Sequence, residues 1–264
     1  MEKIERHEYI HSAAVAMTAQ NTRQEIAKPN EDAYIMDREN GIYLIADGVT
    51  RPNEEYFPGC ESIAAQCAKI LCQEIHAHLL HTTLSDPRQA LIDAMVAGNQ
   101  SIRPLRFERQ SKYPPCSTLL AAILKGDTLY FSNCCDTIGF LIRENVKIQI
   151  TERQNHHADI LRYSKDRIYE ELHNNSNAPV GFGIFNGNEG LKDFLAVSHI
   201  SLCPGDRVIL ASDGLSNYLH ATRASHLQEA SLQQMFDEST PYDRLPYMPY
   251  ADDKTCILID IRDE

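Results

Sequence analysis

The order of elements along this chain predicts an α+β fold in which two mainly antiparallel sheets pack together with helices on the outside. Three observations carry that reading. Apolar runs of strand length come in groups before and after a long helical region, and do not alternate singly with helices as they would in a parallel sheet. Consecutive runs are separated by short turn signals, Asn40-Gly41, Gly126-Asp127 and Glu144-Asn145, and only antiparallel neighbours can be joined so tightly. Helical spacing of apolar residues is confined to two long stretches near the first third and a polar-faced region near the end.

Residues 12–19 (SAAVAMTA), 33–37 (AYIMD) and 41–46 (GIYLIA) read as three strands, the last two forming a hairpin through Arg38-Glu39-Asn40. Pro58 opens a helical stretch with Ile63, Cys67, Ile70, Leu71 and Ile75 on one face, ending near Leu80. Ser85-Asp86-Pro87 starts a second helix, with a capping side chain ahead of proline at the first helical position, and Leu91, Ala94, Met95, Gly98 and Ile102 form its apolar face. Residues 116–150 carry three or four strands in a meander. Residues 152–190 are polar and contain His156-His157, Asn174-Asn175 and four glycines, which predicts a mobile flap with some helix. Strands return at 194–200 and 206–212, a helical region covers about 214–237, TPYDRLPYMPY is a loop, and 254–261 closes a sheet. With no linker, repeat or low-complexity tract, residues 1–264 are expected to form a single domain.

The formal net charge of −12 opposes non-specific binding to nucleic acid or anionic membranes, which need clustered Lys and Arg. The first residues, MEKIERHEYIHSAAV, place charges where a signal peptide needs an apolar core. No run approaches the roughly 18 apolar residues of a membrane span. The expectation is a soluble, cytoplasmic monomer. Eight cysteines show no CxxC pair, and Cys134-Cys135 are adjacent, so reduced thiols are expected, with Cys60, Cys67 and Cys72 as packing residues.

The chemistry lies at the strand ends. Asp47-Gly48 ends GIYLIADG, Asp213-Gly214 ends DRVILASDG, and Asp252-Asp253 precedes KTCILIDI. A buried strand delivers its terminal side chain with little slack, and convergent carboxylates select hard cations such as Mg²⁺ and Mn²⁺. Each Asp-Gly pair taken alone is a turn dipeptide. Ser117 and Thr118 lack the GxSxG setting of a nucleophile and read as strand packing, and His156 and His157 as exposed flap residues.

The ordered set is more specific than its parts: Asn30-Glu31-Asp32-Ala33, Ala46-Asp47-Gly48, Cys116-Ser117-Thr118, Asn133-Cys134-Cys135-Asp136, Ala211-Ser212-Asp213-Gly214-Leu215 and Asp252-Asp253-Lys254-Thr255. From about residue 12 to 261 it resembles the metal-dependent type-2C (PPM) serine/threonine protein phosphatases. That resemblance implies a four-layer α-β-β-α sandwich with a binuclear Mn²⁺/Mg²⁺ centre at one end of the sheets, hydrolysing phosphoserine and phosphothreonine in protein substrates. Carried over by position, Asp47 would bridge both ions and, with Asp213, form the catalytic core. Glu31 and the Gly48 carbonyl would hold one ion, Asp213 and Asp252 the other, and Asp136 a third, weaker one. Asp32 and Asp253 would orient neighbouring ligands or waters. Two such ions clamp the attacking and leaving oxygens of a phosphoryl displacement and acidify water, so no covalent phospho-enzyme is needed.

The chain departs from the family in two places. Val49-Thr50-Arg51 follows Asp47-Gly48, where His-Ala-Gly or Met-Gly-Gly is usual, and Ala27 stands where an arginine usually grips phosphate. Lys28 or Arg23 is the expected substitute at the phosphate. Two rival readings stand beside this one: a pseudophosphatase kept as a regulatory binding module, which the missing arginine favours and the complete acid set opposes, and a metal-dependent hydrolase of small phosphoesters.

Overall fold

The computed structural model describes residues 11–20, 28–51, 59–82, 84–107, 112–154, 160, 162–243 and 252–262. Ala27, Arg23, His156 and His157 lie outside them. The described strands form two five-stranded antiparallel sheets. One has the order β1 (His11–Ala19), β10 (Lys254–Arg262), β9 (Arg207–Ala211), β6 (Ile138–Arg143), β7 (Val146–Gln149). The other has the order β2 (Asp32–Asp37), β3 (Ile42–Asp47), β4 (Leu119–Lys125), β5 (Thr128–Cys134), β8 (Ser198–Ser201).

Strand parity explains the layers. Along β3, Ile42, Leu44 and Ala46 pack under helices α1 (Ile63–His81) and α2 (Pro87–Ser101). The alternate residues Tyr43 and Ile45 meet Leu141, Val208, Leu210, Ile257 and Ile259 of the facing sheet. On that sheet's outer face, Ile209, Cys256 and Leu258 pack with residues of α3 (Ser216–Ala221), α4 (Ala224–Glu229) and α5 (Leu232–Ser239). The result is the expected α-β-β-α sandwich. Parity also aims the site: Asp47 continues the Tyr43–Ile45 series, so its side chain falls at the end of the gap between the sheets.

Several boundaries differ from the sequence reading. Helix α1 begins at Ile63, where Ser62 caps it by accepting from the Ala65 amide at 3.0 Å, and Pro58, the expected start, lies outside the described residues. The expected cap at α2 is present, with Asp86 accepting from Arg88 and Gln89 amides. The expected meander is split: β4 and β5 belong to one sheet, β6 and β7 to the other. The chain changes sheet at Cys135, whose φ of 75° is the left-handed region that few non-glycine residues adopt. The segment 152–190 is partly packed down, since Ile160, Leu172, Phe182 and Ile184 form a small core with Cys116 and Cys135. It contains a helical stretch, Lys165–Arg167 continuing into the π-turn Ile168–Leu172. The last strand of the second sheet starts at Ser198, later than position 194, because Glu189–Phe194 is a 3₁₀ turn. The region 214–237 is three short helices. All eight cysteines are free thiols, and burial pushes that of Cys67 up to about 12. No helix among the described residues is long and apolar enough to cross a membrane.

Candidate metal centre

Asp32, Asp47, Asp136, Asp213 and Asp252 come together at one end of the sandwich. Asp32 and Asp47 are direct cross-strand partners on β2 and β3. Like charges placed so are destabilising unless a cation joins them. Asp213 starts the turn leaving β9, and Asp252 precedes β10.

The backbone of the Asp47 turn is held by the two residues read as strand packing. The Thr118 amide donates to the Asp47 carbonyl at 2.8 Å, and Ser117 Oγ donates to the same carbonyl at 2.9 Å. Gly48 must be glycine: a Cβ there would run into the Ala64 carbonyl group and approach the Glu31 carbonyl oxygen to 2.8 Å. The Gly48 amide donates to that Glu31 carbonyl at 3.0 Å, so the strand end and the Glu31 loop are locked together.

Burial is the largest influence raising the Asp47 pKa well above the carboxylate range, followed by repulsion from Asp32, Asp213, Asp252 and Asp136. Asp213 is raised in the same way, by burial and then by Asp136 and Asp252, with Arg153 opposing. Asp32 is pushed up to about 7, again chiefly by burial, although Ser212 Oγ donates to its Oδ2 at 2.7 Å. The Thr255 amide donates to Ser212 Oγ in turn, at 2.9 Å, which ties β2 to β9 and β10 of the opposite sheet. Asp136 lies 3.7 Å from Arg153 Nη2.

Glu31 and Lys28 form the other side of the cleft. Glu31 is buried; Ser62 Oγ donates to its Oε1 at 2.6 Å, and Thr50 Oγ1 donates to Oε2. Asp253 is buried behind it and accepts from the Glu31 amide at 2.9 Å, while Asp252, 22% exposed, faces the cleft. Lys28 departs from its expected place at the substrate phosphate: its Nζ turns inward, 2.8 Å from Glu31 Oε2, 3.3 Å from Asp252 Oδ1 and 3.4 Å from Asp253 Oδ2. Burial disfavours the ammonium, but Asp252, Glu31 and Asp253 together outweigh it and hold Lys28 protonated. Sequence reasoning missed Ser62, Thr50, Ser212 and Arg153. Ser62 had only its position before the helix as a signal; Thr50 and Ser212 stand beside the Asp-Gly motifs but their roles were not read, and nothing local marks Arg153.

Ser62 serves two ends at once, as the cap of α1 and as a donor to Glu31. We expect Ser62→Ala to lower stability by about 1–3 kcal/mol, combining a lost cap with a buried carboxylate short of one donor. Chemical denaturation measures it, and a loss below about 0.5 kcal/mol would show that neither bond matters.

The Asp47–Asp213 half of the cleft suits a hard divalent cation. Asp213 Oδ1 is buried with no hydrogen-bond partner among the described residues, and the surrounding acids repel one another. The acids ring the space without closing on it: among the described residues no three His, Cys, Asp or Glu side chains stand at ligand spacing. The Glu31–Asp252 half already holds an ammonium.

A two-sheet sandwich with this ring of acids at its end has the fold of the PPM-type serine/threonine phosphatases. The chain is similar to the Mycobacterium tuberculosis serine/threonine phosphatase PstP, with a TM-score of 0.68 and 19% identity over 96% of this chain and 99% of that one. It is similar also to the PstP catalytic domain in complex with two manganese ions (TM-score 0.66, 19% identity, 96% and 99% covered). A third is the PPM Ser-Thr phosphatase MsPP from Mycobacterium smegmatis in complex with cacodylate (TM-score 0.62, 15% identity, 94% and 98% covered). No protein-family model and no curated protein matches the sequence.

Proposed function

We propose that this chain is a divalent-metal-dependent phosphatase of phosphoserine and phosphothreonine in proteins, residues 1–264 acting as one catalytic domain. The observation that carries the reading is the meeting of half-buried Asp47 with buried Asp213 from opposite sheets, each raised in pKa by desolvation and neighbouring acids. Asp47, Asp213 and the Gly48 carbonyl would hold the ion, Mn²⁺ or Mg²⁺, with Asp136 marking a weaker position beside it. When bound, such an ion supplies Lewis acidity, drawing charge from phosphoryl oxygens and acidifying water. The chain's residues do the rest. Ser117 and Thr118 hold the Asp47 turn, and Asp32, fixed by Ser212, stands beside it as a proton-holding group. Residues 152–190 would shape substrate choice, and a cytoplasmic location is part of the same proposal.

The test is phosphate release from phosphoserine and phosphothreonine peptides, and from an aryl phosphate, with Mn²⁺, Mg²⁺ or chelator. We expect peptide turnover with metal and none in excess chelator. Full activity in chelator would overturn the metal role. Aryl phosphate turnover without peptide turnover would favour a small-phosphoesterase, and no turnover with any metal a binding module.

A further inference from the structure

We infer that Lys28 serves as a built-in cation, its ammonium taking the place of a divalent ion on the Glu31–Asp252 side, so that this chain holds one core ion and not two. The inference rests on the metal-centre reading for the Asp47–Asp213 side. The Lys28 side chain is 9% exposed, and its Nζ has four oxygens around it: Glu31 Oε2, Asp252 Oδ1 and Asp253 Oδ2, with Thr50 Oγ1 at 3.0 Å. These oxygens come from three separate segments, before β2, after β3 and before β10. An ammonium offers three protons, and Glu31, Thr50 and Asp252 accept them at hydrogen-bond distance.

The arrangement is built for an ammonium in its details. Glu31 has both oxygens engaged, Oε1 by Ser62 and Oε2 by Lys28 and Thr50, so little of its lone-pair capacity is left for an ion. Asp253 Oδ2 is engaged by the Glu31 amide. A hard cation at about 2.0–2.1 Å from these oxygens would lie against Nζ, where two positive charges repel in a partly buried site. One lysine therefore does with a tethered charge what a second ion would do with a free one. Its location follows from the backbone: Lys28 is three residues before Glu31, near enough to reach the same carboxylate.

The experiment is Mn²⁺ binding to the full chain, read by calorimetry and by the electron spin resonance of the bound ion. We expect wild type to take one tight ion with the spectrum of an isolated Mn²⁺. Lys28→Ala and Lys28→Met should each take two, with the spectrum of a coupled pair, both variants checked for folding by circular dichroism in Mn²⁺. Two coupled ions in wild type would overturn the inference whatever the variants do. One isolated ion in wild type and in both variants would overturn it too. Wild type that binds no ion removes this inference together with the proposed function, and is distinguished from the other failures by the absence of any Mn²⁺ binding heat.

Discussion

Asp47→Asn and Asp213→Asn are each expected to lower the proposed phosphatase turnover by about 10³-fold or more, the rate equivalent of roughly 4 kcal/mol of lost electrostatic stabilisation. Asp213 is buried and Asp47 half-buried where the two sheets end, and an amide in place of either removes charge from the proposed ion's position without removing volume. The same substitutions have an opposite effect on the metal-free fold. Asp47 and Asp213 are carboxylates whose folded pKa lies above the unfolded value near about 3.9, and burial with mutual repulsion is the cause. A raised carboxylate pKa means that the folded state binds protons more tightly than the unfolded chain. Stability then falls as pH rises from the ordinary carboxylate range through the folded values, that of Asp32 being about 7. In chelator, wild type should therefore melt several degrees lower at pH 8 than at pH 5, and each Asn variant should narrow that difference and melt above wild type at pH 8. Added Mn²⁺ should raise the wild-type melting temperature and leave the variants nearly unmoved. A variant with near wild-type turnover, or one melting below wild type in chelator at pH 8, would show that these acids are not opposed charges awaiting a cation.

Gly214→Ala should lose both stability and metal affinity. A Cβ at this position would run into the Asp253 carbonyl oxygen, with the Asp253 carbonyl carbon at 2.9 Å and the Asp252 oxygen at 3.2 Å. The obstacle is backbone, so no rotamer relieves it. Either the Asp213 turn or the start of β10 must move. Overpacking of this kind costs about 1–3 kcal/mol, a drop of several degrees in melting temperature for a chain of this size. Asp213, a proposed ligand of the ion, stands next to Gly214 and shifts with this turn, so Mn²⁺ affinity should fall by at least tenfold. Thermal melts and Mn²⁺ titration check both halves. A variant that matched wild type in both would mean that the approach of the β9 turn to β10 has slack.

Much of the fold was legible because its signals are local. The continuous apolar run of β3, Asp86 ahead of Pro87 and the Asn40-Gly41 turn each depend on residues a few positions apart, and each is where the sequence predicts. Even the direction of Asp47 follows from parity along its strand. The signals that misled were also local. Proline at 58 looked like a helix start, but the cap was Ser62, chosen because its hydroxyl reaches both the Ala65 amide and Glu31. The meander read as continuous because nothing in Cys134-Cys135 announces a change of sheet. That change depends on a left-handed residue at position 135, stabilised by contacts with Gln154.

By itself, then, the sequence determined the two-sheet architecture, the acids at the strand ends and their order, since these follow from hydrophobic period and from which residues interrupt it. Only the tertiary structure decided what those acids face. Ser212 reaches Asp32 across 180 positions and Lys28 reaches Asp252 across 224, and no periodic pattern carries information over such separations. The same lysine reads from sequence as a phosphate contact and from structure as the partner of three carboxylates. The physical reason is the low dielectric at the end of the sandwich, where buried acids draw in the nearest positive charge the chain can supply.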